Sequence, residues 1–275
     1  MATLSAFADE IAPDLKTQMD VCAAHGVGCI DVRGIDNVNV SRIPVERARE
    51  YRRQLDDRGF SVPCIGSPIG KIRVDEPFQP HLELLKHCCA LGHVFSARYV
   101  RVFSFYGPEG GRIADCRAQV MDRLAAMVRL AEAEDVVLLH ENEHAIYGEQ
   151  PQGVRDIFAT IRSQRLKGIF DPANFVLDGV APYDDAWTKG LAELTCYFHI
   201  KDAVREPRSC LPAGRGQGQI PPTLADAKRR GFDGYLTLEP HLAAAGQFGG
   251  KTGTELFAVA VAALKQVCDQ VGLTY

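Results

Sequence analysis

The stretch VVLLHENEH, residues 136–144, carries a run of apolar, β-type residues directly into a carboxylate, Glu141. Short apolar runs rich in β-branched residues read as strands buried on both faces. Three later stretches repeat the pattern: KGIFDPANF (167–175), TCYFHIKDA (195–203) and GYLTLEPHL (234–242). Their polar residues are Asp171, His199 and Glu239, so the four candidate ligands stand 30, 28 and 40 residues apart. A βαβ crossover occupies roughly 30 residues, which makes each step about one strand–helix unit. Four groups at the C-terminal ends of successive parallel strands meet at one point only where the strands close into a barrel or splay at a sheet crevice.

Working outward, eight strand-like runs are predicted: 4–8, 28–33, 61–66, 98–105, 136–141, 167–171, 196–201 and 235–240. Helix-like stretches alternate with them at 13–24, 44–58, 78–91, 115–134, 151–163, 184–193, 222–230 and 254–270. Gly26, Gly59 and Gly92 each follow the end of one, as helix stop signals do. The Gly-rich stretch 212–222 is expected to be a long loop without helix, on the face where barrel enzymes keep their sites. Eight such pairs without a linker predict a single (β/α)₈ barrel domain over residues 1–275; about 250 residues is typical for that fold.

The hydrophobic share of 46% suffices for a large core, and the net charge is −4. No basic block is present, which argues against a nucleic-acid partner. No apolar run approaches the roughly 20 residues that span a bilayer, so no membrane partner is expected. The opening MATLSAFADEIAP lacks a signal-peptide pattern. Nine cysteines without CxxC, several inside apolar runs (Cys29, Cys64, Cys196), read as small core residues in a reducing, cytoplasmic compartment. The C-terminal helix has an unusually apolar outer face. It is expected to pack on the barrel, with a contact between copies of a homo-oligomer as the alternative.

Polar residues also stand at the other strand ends, including Glu10, Arg33, Lys71 and Ser104. Exposed strand ends explain any one of these. Glu141, Asp171, His199 and Glu239 differ, because each follows apolar residues and three converging carboxylates repel unless a cation neutralises them. Such a donor set suits Mn²⁺, Mg²⁺ or a similar oxygen-preferring ion better than structural zinc. Asp202 could orient an imidazole or an ion-held water without itself touching the ion. Lys71, Asn174, Lys201, Arg205 and His241 are the candidate substrate-binding residues; Lys201 reads equally as a core-edge side chain that carries its charge out to water. His140 alternates to the opposite side of its strand and is expected to be a packed structural histidine.

The ordered set HEN, FDPAN, FHIKDA and LEPHL resembles the sugar phosphate isomerase/epimerase family, with its xylose-isomerase-like barrel and its relation to endonuclease IV. The resemblance spans essentially the whole chain. It implies one divalent ion held by Glu141, Asp171, His199 and Glu239, Mn²⁺ being the first expectation, with Mg²⁺, Co²⁺ and Zn²⁺ behind it. It also implies that Glu141 removes a proton alpha to a carbonyl, that the ion stabilises the resulting enediolate, and that Glu239 returns a proton. The ketose 3-epimerases of that family carry a second glutamate where this chain has Tyr147, and a histidine where it has Asn174. The ligand set is intact while the substrate-reading residues differ.

The leading expectation is therefore an isomerase or epimerase acting on a small carbohydrate: a keto-sugar, inosose or related polyol ketone. The alternative is a lyase using the same site, by β-elimination from a 3-keto-glycoside or as an inosose-type dehydratase. An abasic-site endonuclease would need more histidine ligands and a basic face. A non-catalytic binding barrel would leave a cluster of buried carboxylates unused.

Overall fold

The computed structural model describes residues 1–246 and 249–275. Eight parallel strands make one sheet: β1 (Thr3–Ala6), β2 (Cys29–Ile30), β3 (Cys64–Ile69), β4 (Tyr99–Val102), β5 (Val137–Glu141), β6 (Leu166–Phe170), β7 (Thr195–Ile200) and β8 (Tyr235–Leu238). β3 to β8 pair in chain order, β8 pairs with β1, and β1 with β2. Isolated parallel bridges, Cys29 to Ser61 and Val32 to Ile65, join the two edges. The sheet thus closes into the expected barrel.

Around it lie α1 (Leu15–Ala24), α2 (Val45–Asp57), α3 (Gln79–Phe95), α4 (Arg117–Ala133), α5 (Pro151–Thr160), α6 (Pro172–Leu177), α7 (Ile220–Arg229) and α8 (Gly253–Val271). Asp14 caps α1 by accepting the Thr17 N–H at 2.8 Å. Among the described residues, no helix is long and apolar enough to cross a membrane. On α8, Leu256 and Val259 remain exposed while Phe257, Val261 and Leu264 are buried.

Several expectations shift. The helix expected at 184–193 overlaps a π-helical stretch, Pro182–Leu191, interrupted at Lys189 and Gly190. α6, unforeseen, begins immediately after Asp171. α7 starts at Ile220, two residues early, so the stretch 212–222 does end in helix. Pro221 and Pro222 sit in its first turn, where a missing N–H costs nothing. β2 shrinks to two paired residues, and β3 runs on to Ile69. All nine cysteines are free, and six are buried; Cys196, expected in the core, is only half-buried, as are Cys116 and Cys210.

Strand alternation sorts the side chains. Leu139, Ile169 and Tyr197 share a strand face with the candidate ligands two residues further on, and with Cys64 they fill the barrel interior. Leu138, Phe170, Phe198 and Leu236 face the helices and join the larger core. Buried Asp31 ties three strands together inside the barrel, accepting from Ser5 Oγ (2.7 Å), Tyr197 Oη (2.8 Å) and Thr237 Oγ1 (3.1 Å). Burial raises the Asp31 carboxyl to about 6.

Candidate metal centre and active site

Glu141 closes β5, Asp171 follows β6, His199 stands one residue before the end of β7, and Glu239 follows β8. Parallel strands bring these four to one end of the barrel. A ligating atom from each lies within 4.8 Å of those of the others, and all four residues are buried.

Local structure aims each group. Asp171 is the N-cap of α6, and its Oδ1 accepts the Asn174 N–H at 3.0 Å. That leaves Oδ2 for the centre, 2.9 Å from Lys201 Nζ. The Asn142 amide fixes the backbone here: it donates to the Asp171 carbonyl and accepts the Asp171 N–H, both at 2.9 Å. Glu141 divides its oxygens. Oε2 accepts from Arg101 at 3.1 Å, and Oε1 lies 2.9 Å from His199 Nδ1. Glu239 does the same, with Oε1 accepting from Arg33 at 2.7 Å and Oε2 lying 3.3 Å from His199 Nδ1. Both guanidiniums are buried and lie over the Phe7 ring, 4.4 Å (Arg33) and 4.8 Å (Arg101) from its centroid. His241 Nε2 lies 3.1 Å from Glu10 and 3.4 Å from Glu239.

Charge follows from this crowding. Burial pushes the Glu141 carboxyl up, but the charges of His199 and Arg101 outweigh it and hold the group down at about 2. Glu239 is likewise held well below the usual carboxylate range against burial, by Lys201 first. Burial raises Asp171 to about 6, even with Lys201 beside it. His199 is held up to about 9, because Glu141 and then Glu239 overcome the burial that disfavours its charge.

The residues fit a divalent cation. Asp171 Oδ2, Glu239 Oε2 and both nitrogens of His199 are buried and make no aligned hydrogen bond. Buried polar atoms normally find partners. Three carboxylates and one imidazole with unused lone pairs are the donors an ion of the Mn²⁺ or Mg²⁺ type takes. A bound ion would replace the proton that His199 otherwise carries, since ligation needs the neutral ring.

A pocket of about 460 Å³ opens over this floor. Asn174, Lys201 and His241 line it, as the sequence suggests, along with Tyr106, Glu143, His144, Arg208 and Cys210. Lys71 reaches the site indirectly, through an ion pair of 2.8 Å with Glu143. Two candidates are not brought in. Arg205 lines a separate groove with Gly179 and Gln217, and Arg208, three residues on, takes the pocket wall. Asp202 turns away from His199, since it lies beyond the end of β7, in the first strand of a hairpin. Its carboxylate instead accepts the N–H groups of Ala203, Gly216 and Gly218 at 2.7 to 2.9 Å. The Gly-rich loop therefore wraps a carboxylate of its own chain. A Cβ at Gly216 or Gly218 would come within 2.6 Å of Asp202 Oδ1. His140 is buried and edge-on to Phe158, the packed position expected of it.

Sequence reasoning missed Arg101 and Asn142, and gave Arg33 and Glu10 no role. The visible signal for Arg101 was a lone charge inside the apolar run YVRVF.

The model of the xylose isomerase-like TIM barrel family matches residues 19–266. No curated protein matches the chain in sequence. Solved structures share the fold along nearly the full length of both chains. The probable 3-DHS dehydratase AsbF of Bacillus anthracis is 14% identical, with a TM-score of 0.75, covering 96% of this chain and 99% of its own. The 3-keto-D-glucoside 4-epimerase YcjR of E. coli is 12% identical, with a TM-score of 0.73, covering 98% and 100%. A xylose isomerase-like protein of Mycobacterium smegmatis, solved in complex with magnesium, is 15% identical, with a TM-score of 0.73, covering 99% and 98%. The chain belongs to the xylose isomerase-like TIM barrel family.

Proposed function

We propose that the protein is a divalent-metal-dependent isomerase or epimerase of a keto-sugar, inosose or related polyol ketone, acting through an enediolate. The observation that carries this reading is the matched pair Glu141 and Glu239. Each offers one oxygen toward the same His199 ring and has its other oxygen held by a buried arginine. An ion held by these four residues would supply Lewis acidity toward substrate oxygens. Glu141, kept ionised, takes the proton from the carbon alpha to the carbonyl; Glu239 passes a proton taken from water to the other face or the next carbon, and Glu141 gives its own back to water, so that both end as carboxylates. Lys201 and Asn174 line the pocket where they can bind substrate oxygens. Mn²⁺ remains the first expectation for the ion, and the magnesium found in the mycobacterial relative supports a hard cation.

A second reading, elimination of a group beta to the carbonyl, uses the same first step. The dehydratase among the structural relatives supports it.

One experiment tests both. The Mn²⁺-loaded protein is incubated in D₂O with ketoses, inososes and 3-keto-glycosides; the metal is then chelated and proton spectra are recorded. Deuterium alpha to the carbonyl, with product of unchanged composition, supports the isomerase or epimerase. Release of water or an aglycone supports the lyase. No metal-dependent exchange with any compound would overturn enolisation altogether.

A further inference from the structure

One titratable pair on the pocket wall has no part in the scheme above. His144 Nδ1 lies 2.6 Å from Asp178 Oδ1, and His144 lines the same pocket as Lys201 and Asn174. The Asp178 side chain is only 4% exposed and stands at the C-cap of α6, whose N-cap is Asp171. A hydrogen bond from Nδ1–H to a buried carboxylate fixes the tautomer and leaves Nε2 with a lone pair. The next residue, Ala145, holds a φ of 61°, uncommon for a residue with a Cβ. Its N–H is pinned by Glu149 Oε2 at 2.6 Å. The loop thus holds His144 against Asp178 at a cost in backbone strain.

We propose that His144, oriented by Asp178, is the acid–base residue for the oxygen-bound proton of the substrate, while Glu141 and Glu239 serve the carbon-bound one. This rests on the isomerase reading. Moving a carbonyl to the neighbouring carbon relocates two protons, each by one removal and one return. One C–H bond breaks and another forms, through the glutamates. The hydroxyl O–H breaks, its proton passes to His144 Nε2, and a proton returns from there to the former carbonyl oxygen. The imidazole ends neutral, and no oxidant, reductant or co-reactant is consumed. The charged groups around His144 are Asp178, Glu149 at 3.8 Å, and Glu143, which accepts the His144 backbone N–H at 2.9 Å and pairs with Lys71. Arg208 shares the pocket wall.

The test uses His144→Gln and Asp178→Asn in the Mg²⁺-loaded full chain, in D₂O, with D-fructose, D-tagatose, 2-keto-myo-inositol and a 3-keto-glucoside. His144→Gln should keep carbon-bound deuterium wash-in but form isomerised product about 100-fold more slowly, the low end for a lost acid–base group. Asp178→Asn should fall between that variant and wild type. Product at the wild-type rate, or equal loss of wash-in and product, would overturn the assignment. If wild type exchanges nothing, the enolisation reading fails, and ¹⁵N-histidine spectra judge the dyad by itself. A neutral Nδ1–H tautomer of His144 that is lost in Asp178→Asn is expected, and an Nε2–H tautomer unaffected by that change overturns the pairing.

Discussion

Arg101 holds Glu141 by one oxygen only. Its NH1 donates to Glu141 Oε2 at 3.1 Å, while Nε and NH2 donate to the Ser67 and Gly66 carbonyls at 3.3 and 3.2 Å. With its whole fork engaged, the guanidinium cannot swing away, and Glu141 faces the centre with Oε1 alone. Removing one partner of a buried ion pair strands the other. Arg101→Gln is expected to destabilise the ion-free protein by about 3 kcal/mol in urea unfolding. Saturating Mn²⁺ should restore part of that loss, because the cation takes over the neutralisation of Glu141. A variant as stable as wild type without metal would show that the pair carries no such burden.

Asp171 has two tasks that substitution can separate. Asparagine keeps an oxygen for the Asn174 N–H but gives up the carboxylate, whereas alanine loses both. Asp171→Asn should therefore keep near-wild-type folding while losing the Mn²⁺-induced rise in melting temperature. Asp171→Ala should lose that rise and about 1 kcal/mol more for the missing cap. Equal stability of the two variants, measured without metal, would argue against the capping role.

Ion binding should release a proton at neutral pH. Without the ion His199 is held up to about 9 by its carboxylate neighbours, and ligation needs it neutral. Affinity is expected to rise with pH toward 9, with about one proton released per ion at pH 7. Calorimetry of Mn²⁺ binding in buffers of different ionisation enthalpy reads that number directly. Binding without proton release would mean that His199 is not a ligand.

Two buried histidines set an acid limit on stability. Burial lowers His81 and His140 from 6.5 to about 4. The neutral His81 ring is also needed, because its Nε2 accepts the Gly70 N–H at 2.7 Å. In the unfolded chain both rings take up protons near 6.5, so the folded state binds fewer protons between pH 6.5 and 4. Stability should thus be complete above about 6.5 and fall as pH drops toward 4, by on the order of 3 kcal/mol for each ring. His81→Gln should remove roughly half of that slope in denaturation measured across this window, and an unchanged slope would contradict the account.

The four candidate ligands were legible because parallel strands deliver their last residues to one end of a barrel, so an apolar run followed by a donor marks the place. Arg101 was not, since one arginine within a strand carries no sign of which carboxylate it meets. α6 escaped because six residues are too few for a helical period to show, although an aspartate followed by proline in DPAN is the start signal of a helix. Asp202 and Arg205 were misplaced for a different reason. Beyond β7 the chain turns into a hairpin, Asp202–Val204 with Ser209–Leu211, and strand alternation no longer tells which way a side chain points. Only the return of residues 216–218 onto Asp202 decides it.

The short helix after Asp171 works as a gauge block. One carboxylate stands at each end of PANFVL, Asp171 toward the ion floor and Asp178 toward His144, separated by about 9 Å of helix axis at 1.5 Å per residue. Lengthening that segment by a single residue would turn one end against the other by about 100°. The spacing between the floor of the pocket and its wall is thus written in the residue count of one helix.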